Sequence, residues 1–287
     1  MPSDIIQWFP GHMAATKRMI RENLSSVDVI FELTDARIPF SSKNPQLEEL
    51  VQTKPVILIL NKAGLADPEL NQRWADYYRK TKAQVICMDC LEKSGVKALS
   101  QAVNTVLKEK LERNRQKNIV RPMKAMVVGI PNVGKSSLIN LLCGQKKAKV
   151  ENRPGVTLTK QWVKTSIGLD LLDMPGVLWP KFSDRTIGEN LSITGAIKDA
   201  VVLTEEIAPE LCLRLQTLYP HLLCQRYKLK EEDLKLDKYQ LMEAIGRKRG
   251  LLVSGGEVDT QRCANMLLEE YRSGKVGRIT LEAPPLD

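Results

Sequence analysis

Three short stretches carry the side chains best suited to handling phosphate. The first is Gly129-Ile130-Pro131-Asn132-Val133-Gly134-Lys135-Ser136, two glycines around a turn that closes in Lys-Ser, with Ser137 next. Glycines there let the backbone curl until its N–H groups, those of Asn132, Val133 and Gly134 among them, face an anion. Lys135 would reach the β- and γ-phosphates and the Ser136 hydroxyl would ligate Mg²⁺. The second stretch, Asp173-Met174-Pro175-Gly176, sets a carboxylate at the end of an apolar run. Asp173 would hold Mg²⁺ through water and the Gly176 N–H would sense a γ-phosphate. Thr157, in the polar loop Asn152-Arg153-Pro154-Gly155-Val156-Thr157, would close over both. The third, Asn61-Lys62-Ala63-Gly64, matches three of the four positions of the base-reading pattern Asn-Lys-x-Asp.

Each stretch needs a strand to deliver it. Ala125–Val128 reads as a buried strand ahead of the phosphate loop, and Leu138, Ile139, Leu141 and Leu142 give the helix that follows, closing at Gly144. Val56–Leu60 is nearly all apolar and rich in β-branched residues, as in a central parallel strand, with Asn61 at its carboxyl end. Leu169–Leu172 runs straight into Asp173, with Gln161–Thr165 as its pair. Further strands are expected at 27–33 and 84–88, with helices near 13–24, 45–51, 69–81 and, as one long pattern, from Gly95 through Leu111. The remaining hundred or so residues show helical spacing only, with Asp259 or Thr260 capping the last helix. The expected architecture is α/β, a mostly parallel sheet with helices on both faces over residues 1–183, followed by a small all-helical domain over 184–287.

With 287 residues, 43% hydrophobic and 27% charged, the chain has the composition of an ordinary soluble protein. It lacks a bilayer-length apolar run or a signal-peptide pattern, so the expected compartment is the cytoplasm, with no membrane partner. Six dispersed cysteines read as reduced thiols, and Cys87-x-x-Cys90 stands without the second pair or histidine that a zinc site needs. Residues 185–287 hold 15 Lys/Arg and 16 Asp/Glu, so the net charge of +9 resides in residues 1–184. Lys108 to Lys124 is the densest basic run, either a solvated helix end or a phosphate-backbone contact. A polyanionic partner is implied, RNA before DNA.

The base-reading motif stands upstream of the phosphate loop, the reverse of small GTPases. With FPGHM at 9–13, DARIP at 35–39, NRPGVT at 152–157, DMPG at 173–176, VLWPKF at 177–182 and GKVGRITLE at 274–282, the chain resembles the circularly permuted GTPases. It is most similar to the bacterial ribosome biogenesis GTPase A (YlqF) family, over nearly its whole length. The resemblance implies a monomeric GTPase that matures the large ribosomal subunit. It implies a helical C-terminal domain on ribosomal RNA, and GTP hydrolysis to GDP stimulated by the particle with Mg²⁺ and K⁺. Asn132 matches the residue linked to the K⁺ site. Val177 replaces the water-orienting Gln of small GTPases, so the histidine of FPGHM, His12, is the implied catalytic group. Gly64 stands where the family pattern has Asp, which predicts weakened guanine preference, with Asp67 a substitute if the loop folds back. The fifth GTPase motif is poorly represented by Met88-Asp89-Cys90. Two other readings remain open: an RNA-binding scaffold with a structural nucleotide, and a permuted GTPase acting on another RNA.

Overall fold

In the computed structural model, which describes residues 11–82, 84–144, 161–179, 182 and 184–285, the chain divides into two compact units. The first spans Phe9–Lys181 and takes in Glu282–Asp287; the second covers Phe182–Leu281.

The first unit is built on a six-stranded sheet: β1 (Val29–Asp35), β2 (Val56–Asn61), β3 (Gln84–Cys87), β4 (Met123–Gly129), β5 (Gln161–Lys164) and β6 (Leu169–Asp173). Strand order is β3-β2-β1-β4-β6-β5, parallel throughout except for β5, which pairs antiparallel with β6. All seven residues of β1 are buried, as are the last five of β2. Burial on both faces favours apolar residues at every position rather than at alternate ones, which is why Val56–Leu60 reads as a continuous run, whereas β1 also buries Glu32, Thr34 and Asp35. Parallel pairing needs a crossover, supplied by α2 (Pro45–Val51) between β1 and β2 and α3 (Pro68–Arg79) between β2 and β3. Asn44 starts α2 by accepting from the Gln46 and Leu47 N–H groups, with Pro45 at the first helical position.

Register decides what the sheet presents. Asp35 pairs with Asn61, Leu33 with Gly129, and Val127 with Asp173. Asn61, the start of the glycine-rich loop at Gly129 and Asp173 therefore share one carboxyl edge, where open α/β sheets hold ligands. β6 lies beside β4 and β2 one strand further on the other side, although the Asn61 stretch precedes the loop after β4 in the chain.

The helical pattern expected to run from Gly95 through Leu111 is broken. α4 (Val96–Val106) ends at Leu107, buried with φ −99° and ψ 10°, and α5 (Lys108–Gln116) restarts with no buried residue of its own. What orients α5 is charge: Lys110 Nζ lies 2.6 Å and Arg121 Nη2 3.2 Å from Asp28 Oδ1, and the Lys124 N–H donates to Oδ2. Part of the basic run is thus spent on one buried carboxylate, while Lys108, Arg113, Arg115 and Lys117 stay exposed.

Beyond Leu281 the chain rejoins the sheet unit. The Glu282 carboxylate accepts from the Phe40 and Ser41 N–H groups (2.8 and 3.1 Å) and from the Ser41 hydroxyl. Its carbonyl accepts from Trp74 Nε1 at 3.0 Å. Trp74 is buried against Tyr77 and Tyr78 on α3.

The second unit is helical: α7 (Arg185–Ile193), α8 (Thr204–Leu218), α9 (Pro220–Tyr227), α10 (Lys238–Lys248) and α11 (Thr260–Arg272). α8, α10 and α11 pack together through Leu211, Cys212, Leu215, Leu241, Ile245, Cys263 and Leu267, all fully buried. Asp237 and Asp259 cap α10 and α11. The basic cluster Arg247-Lys248-Arg249 is less free than its sequence suggests. Arg249 reaches Glu270 at 2.8 Å beside Arg226, and Arg247 donates to the Gly256 carbonyl. Among the described residues, no helix of either unit is long and apolar enough to cross a membrane.

Candidate active site

The loop between β4 and α6 (Lys135–Cys143) has the backbone its composition demands. Gly129 and Gly134 have φ of 153° and 102°, the latter as the residue preceding the helix. A side chain is excluded at both: a Cβ on Gly129 would lie 2.6 Å from the Leu33 carbonyl, and one on Gly134 would strike Asn61 Nδ2. Asn132, at φ 56°, takes the left-handed conformation that asparagine tolerates better than most residues. Ser136 and Ser137 follow in the first turn of α6, half-buried.

Lys135 lies inside the curl, its Nζ donating to the carbonyls of Ile130 (2.7 Å) and Gly129 (3.2 Å). Burial lowers its ammonium to about 8, against the pull of Asp173 and with a push from Lys62. Burial acts the opposite way on Asp173, raising its carboxyl to about 6 although Lys135 and the Met174 N–H favour the charge. Asp173 Oδ1 is buried and meets no donor among the described residues. An orphaned carboxylate oxygen coupled to a buried ammonium, with the Ser136 hydroxyl next along the chain from that lysine, is a donor set for a hard divalent cation. Mg²⁺ typically takes one or two protein oxygens and completes its shell with water and phosphate. Asp173 and Ser136 fit that requirement; the ion would neutralise phosphate charge between them.

The cost of the buried carboxylate is testable. Between its ordinary value of 3.8 and about 6, the folded state holds a proton that the unfolded chain has released, so stability falls as pH rises through that window. Nucleotide-free Asp173→Asn will therefore exceed the wild type in urea denaturation at pH 7.5 by about 1–3 kcal/mol. The gain will vanish near pH 4, and an equal or lower stability at pH 7.5 would refute the assignment.

After β6 the chain folds onto the loop. The Val177 N–H donates to the Gly129 carbonyl at 3.2 Å, and the Val177 carbonyl accepts from Asn44 Nδ2 at 2.9 Å. A Cβ on Gly176 would lie 2.7 Å from both Pro131 Cα and Pro131 N and 2.9 Å from Lys135 Nζ. Glycine here is a matter of space.

The base-reading stretch is bonded to the same loop. Asn61 Nδ2 donates to the Val133 carbonyl at 2.8 Å, and its Oδ1 accepts from the Cys90 N–H at 3.3 Å. Lys62, at φ 62°, extends to Asp35 Oδ2 at 2.9 Å; Asp35 also takes a two-pronged contact from Arg37. Burial opposes ionisation of Asp35, but Arg37 and Lys62 outweigh it and hold the carboxylate well below its usual range. The Asp35-Ala36-Arg37 motif thus positions Lys62, a role its sequence did not disclose. Asp67 does not fold back to replace the Asp missing at Gly64. Its Oδ1 accepts from the Glu69 and Leu70 N–H groups, which starts α3. The Cys87 and Cys90 thiols are free, and burial raises both.

The structure therefore brings together Asn61, Lys62, Gly64, Asn132, Val133, Gly134, Lys135, Ser136, Ser137, Asp173 and Gly176. Thr157 lies outside the described residues. The backbone of His12 is in α1 (Gly11–Leu24), but its side chain is likewise outside them.

Residues 124–245 match the family described as 50S ribosome-binding GTPase. Over 281 residues the chain is 45% identical to the ribosome biogenesis GTPase A of Priestia megaterium, covering 97% of each. It belongs to the ribosome biogenesis GTPase A family. The mitochondrial ribosome-associated GTPase 1 of Mus musculus is 34% identical, covering 97% of this chain and 90% of that protein. Among solved structures, GDP-bound YlqF of Thermotoga maritima superposes with a TM-score of 0.65 at 25% identity, over 93% of this chain and 99% of that one. The site is that of a P-loop GTPase in a permuted chain, and the protein is a GTP hydrolase.

Proposed function

We propose that the protein is a GTPase of ribosome assembly that acts on the large-subunit precursor in the cytoplasm, as a monomer. On this reading it binds ribosomal RNA through its helical unit and hydrolyses GTP faster on the particle. The observation that carries it is the extent of the family match, which runs through both compact units rather than the nucleotide site alone. Exposed Lys248 and Lys275 and the half-paired Arg247 give the helical unit cations for a phosphate backbone.

In the catalytic cycle, the amides of residues 132–134 and the Lys135 ammonium hold the phosphates, and Lys135 exchanges its two loop carbonyls for phosphate oxygens. Ser136 and Asp173 are the residues that would hold Mg²⁺, with Thr157 as a third, and the ion would offset phosphate charge. The Gly176 N–H binds the γ-phosphate. Asn132 would hold a K⁺ ion, whose charge would offset that developing on the γ-phosphate. Val177 has no group to orient water, and its backbone is committed to Gly129 and Asn44. The family resemblance through the FPGHM motif gives the water-positioning role to His12, a task that imidazole suits.

Co-sedimentation with ribosomal subunits in the GTP-analogue, GDP and nucleotide-free states tests the partner. Association with large-subunit particles, strongest with the analogue, is expected; equal or no association across states would remove the proposal. In the same system His12→Ala should lower particle-stimulated turnover about 100-fold while leaving GDP affinity unchanged. Turnover that stays negligible in wild-type protein with particles, KCl and Mg²⁺ present would favour the scaffold reading instead.

A further inference from the structure

Gly64 leaves the base-reading motif without its carboxylate, and the structure shows what stands in that space. A Cβ built on Gly64 would lie 2.9 Å from both the carboxyl carbon and Oε1 of Glu92, and 2.8 Å from Asp89 Oδ2. An aspartate side chain places its oxygens about 2.4 Å from its own Cβ, so a carboxylate already occupies the shell that the missing one would fill. It arrives from the loop between β3 and α4, a segment in which the sequence shows no recognisable base-reading motif.

The two acidic residues are not equivalent. Asp89 is buried and committed: Oδ2 accepts from the Gly64 N–H at 3.1 Å, and Oδ1 accepts from the N–H groups of Leu91 (2.9 Å) and Glu92 (3.2 Å). It shapes the loop and ties it to the base-reading strand, as do Ala63 N–H to the Met88 carbonyl and Cys90 N–H to Asn61. Glu92 is exposed, and among the described residues no hydrogen bond is made by its carboxylate. Lys93, at φ 56°, and Gly95, at φ 88°, turn the chain immediately after it. The Glu92 side chain thus lies beside Gly64, exposed and with both oxygens available.

We propose that Glu92 is the purine-reading residue of this GTPase, its carboxylate accepting from the N1–H and 2-amino group of guanine in place of the aspartate missing at position 64. Asp89 is the positioning residue that holds the Glu92 loop against Gly64. Two consequences follow. Guanine selectivity is retained rather than weakened, because a carboxylate still meets two donors that adenine does not present. Gly64 is also constrained, since a side chain there would compete with Glu92 for the same volume.

The inference rests on the nucleotide site described above, and three diphosphates that differ only at the purine test it. GDP offers N1–H and a 2-amino donor, IDP lacks the amino group, and XDP carries a carbonyl in its place. Calorimetry with Mg²⁺ should show wild-type protein binding GDP about tenfold more tightly than IDP, with XDP weakest. Glu92→Gln should lower GDP affinity more than about tenfold, erase the preference over IDP, and raise XDP affinity, because the amide donates to the new carbonyl. Gly64→Asp combined with Glu92→Ala should recover the preference for GDP, whereas Gly64→Asp alone crowds three carboxylates and weakens GDP binding. Unchanged GDP:IDP:XDP ratios in Glu92→Gln would overturn the proposal, as would failure of the double variant to discriminate. Failure of wild-type protein to bind any of the three would instead dispose of the nucleotide site itself.

Discussion

Lys135→Ala will lose Mg²⁺-dependent GTP binding by at least about 100-fold. The ammonium is buried, its pKa is depressed to about 8, and the only acceptors it has in the described residues are two carbonyls of its own loop, Ile130 and Gly129. Those neutral acceptors compensate a desolvated cation poorly. Phosphate oxygens supply the charge it lacks, so the gain on binding exceeds that of a lysine drawn from solvent. Each charge-assisted bond contributes about 1.5–3 kcal/mol, and two are lost in the variant. Calorimetric titration with GTP and a non-hydrolysable analogue, alongside a denaturation curve to confirm cooperative folding, measures the effect. Affinity within a few-fold of wild type in a folded variant would contradict the placement of Lys135 at the phosphates.

Gly176→Ala will separate binding from hydrolysis. The added methyl falls within van der Waals contact of Pro131 Cα and N, at 2.7 Å, where backbone cannot yield as a side-chain end can. The segment after Asp173 must then move off the phosphate loop, and the Gly176 N–H goes with it. Loss of one donor aimed at developing charge costs about 10²–10³-fold in turnover. GDP, which has no γ-phosphate for that donor, should bind within about threefold of wild type, because the Lys135 ammonium that the methyl also meets at 2.9 Å is the end of a long side chain and can shift. Single-turnover hydrolysis compared with GDP titration reads both, and a GDP loss as large as the turnover loss would show that the methyl disrupts the loop as a whole.

Much of this site was legible before any coordinates because its chemistry is carried by local sequence. Gly129, Gly134 and Gly176 announce close backbone approach, Lys135 opens the helix after the glycine turn, and Asp173 ends a strand fixed by an apolar run. Long-range contacts were not legible. The bond from Asn61 to the Val133 carbonyl joins residues far apart in the chain, and nothing in either stretch encodes it. Asp35 as the partner of Lys62 was hidden for the same reason. Asp67 stands close enough to Gly64 in the chain to suggest a base reader, but Pro68 and Glu69 after it are the signature of a helix start, which is the role it plays. The break at Leu107 is hidden in the sequence because apolar spacing continues across it; what changes there is the partner, from packing on the sheet to ion pairing with Asp28. Glu92 could be found only by asking what fills the volume beside a glycine.

The clasp made by Glu282 has a consequence for biosynthesis. All six strands emerge from the translating ribosome before residue 282 has been made, so the sheet can assemble while Phe40, Ser41 and the Trp74 indole still lack their acceptor. The clasp closes last. A nascent or prematurely terminated product ending short of this glutamate would carry every nucleotide-contacting residue proposed above, yet leave the turn following Asp35-Ala36-Arg37 unlatched. Quality-control proteases that probe loose loops would find their opening there, at the segment between β1 and α2.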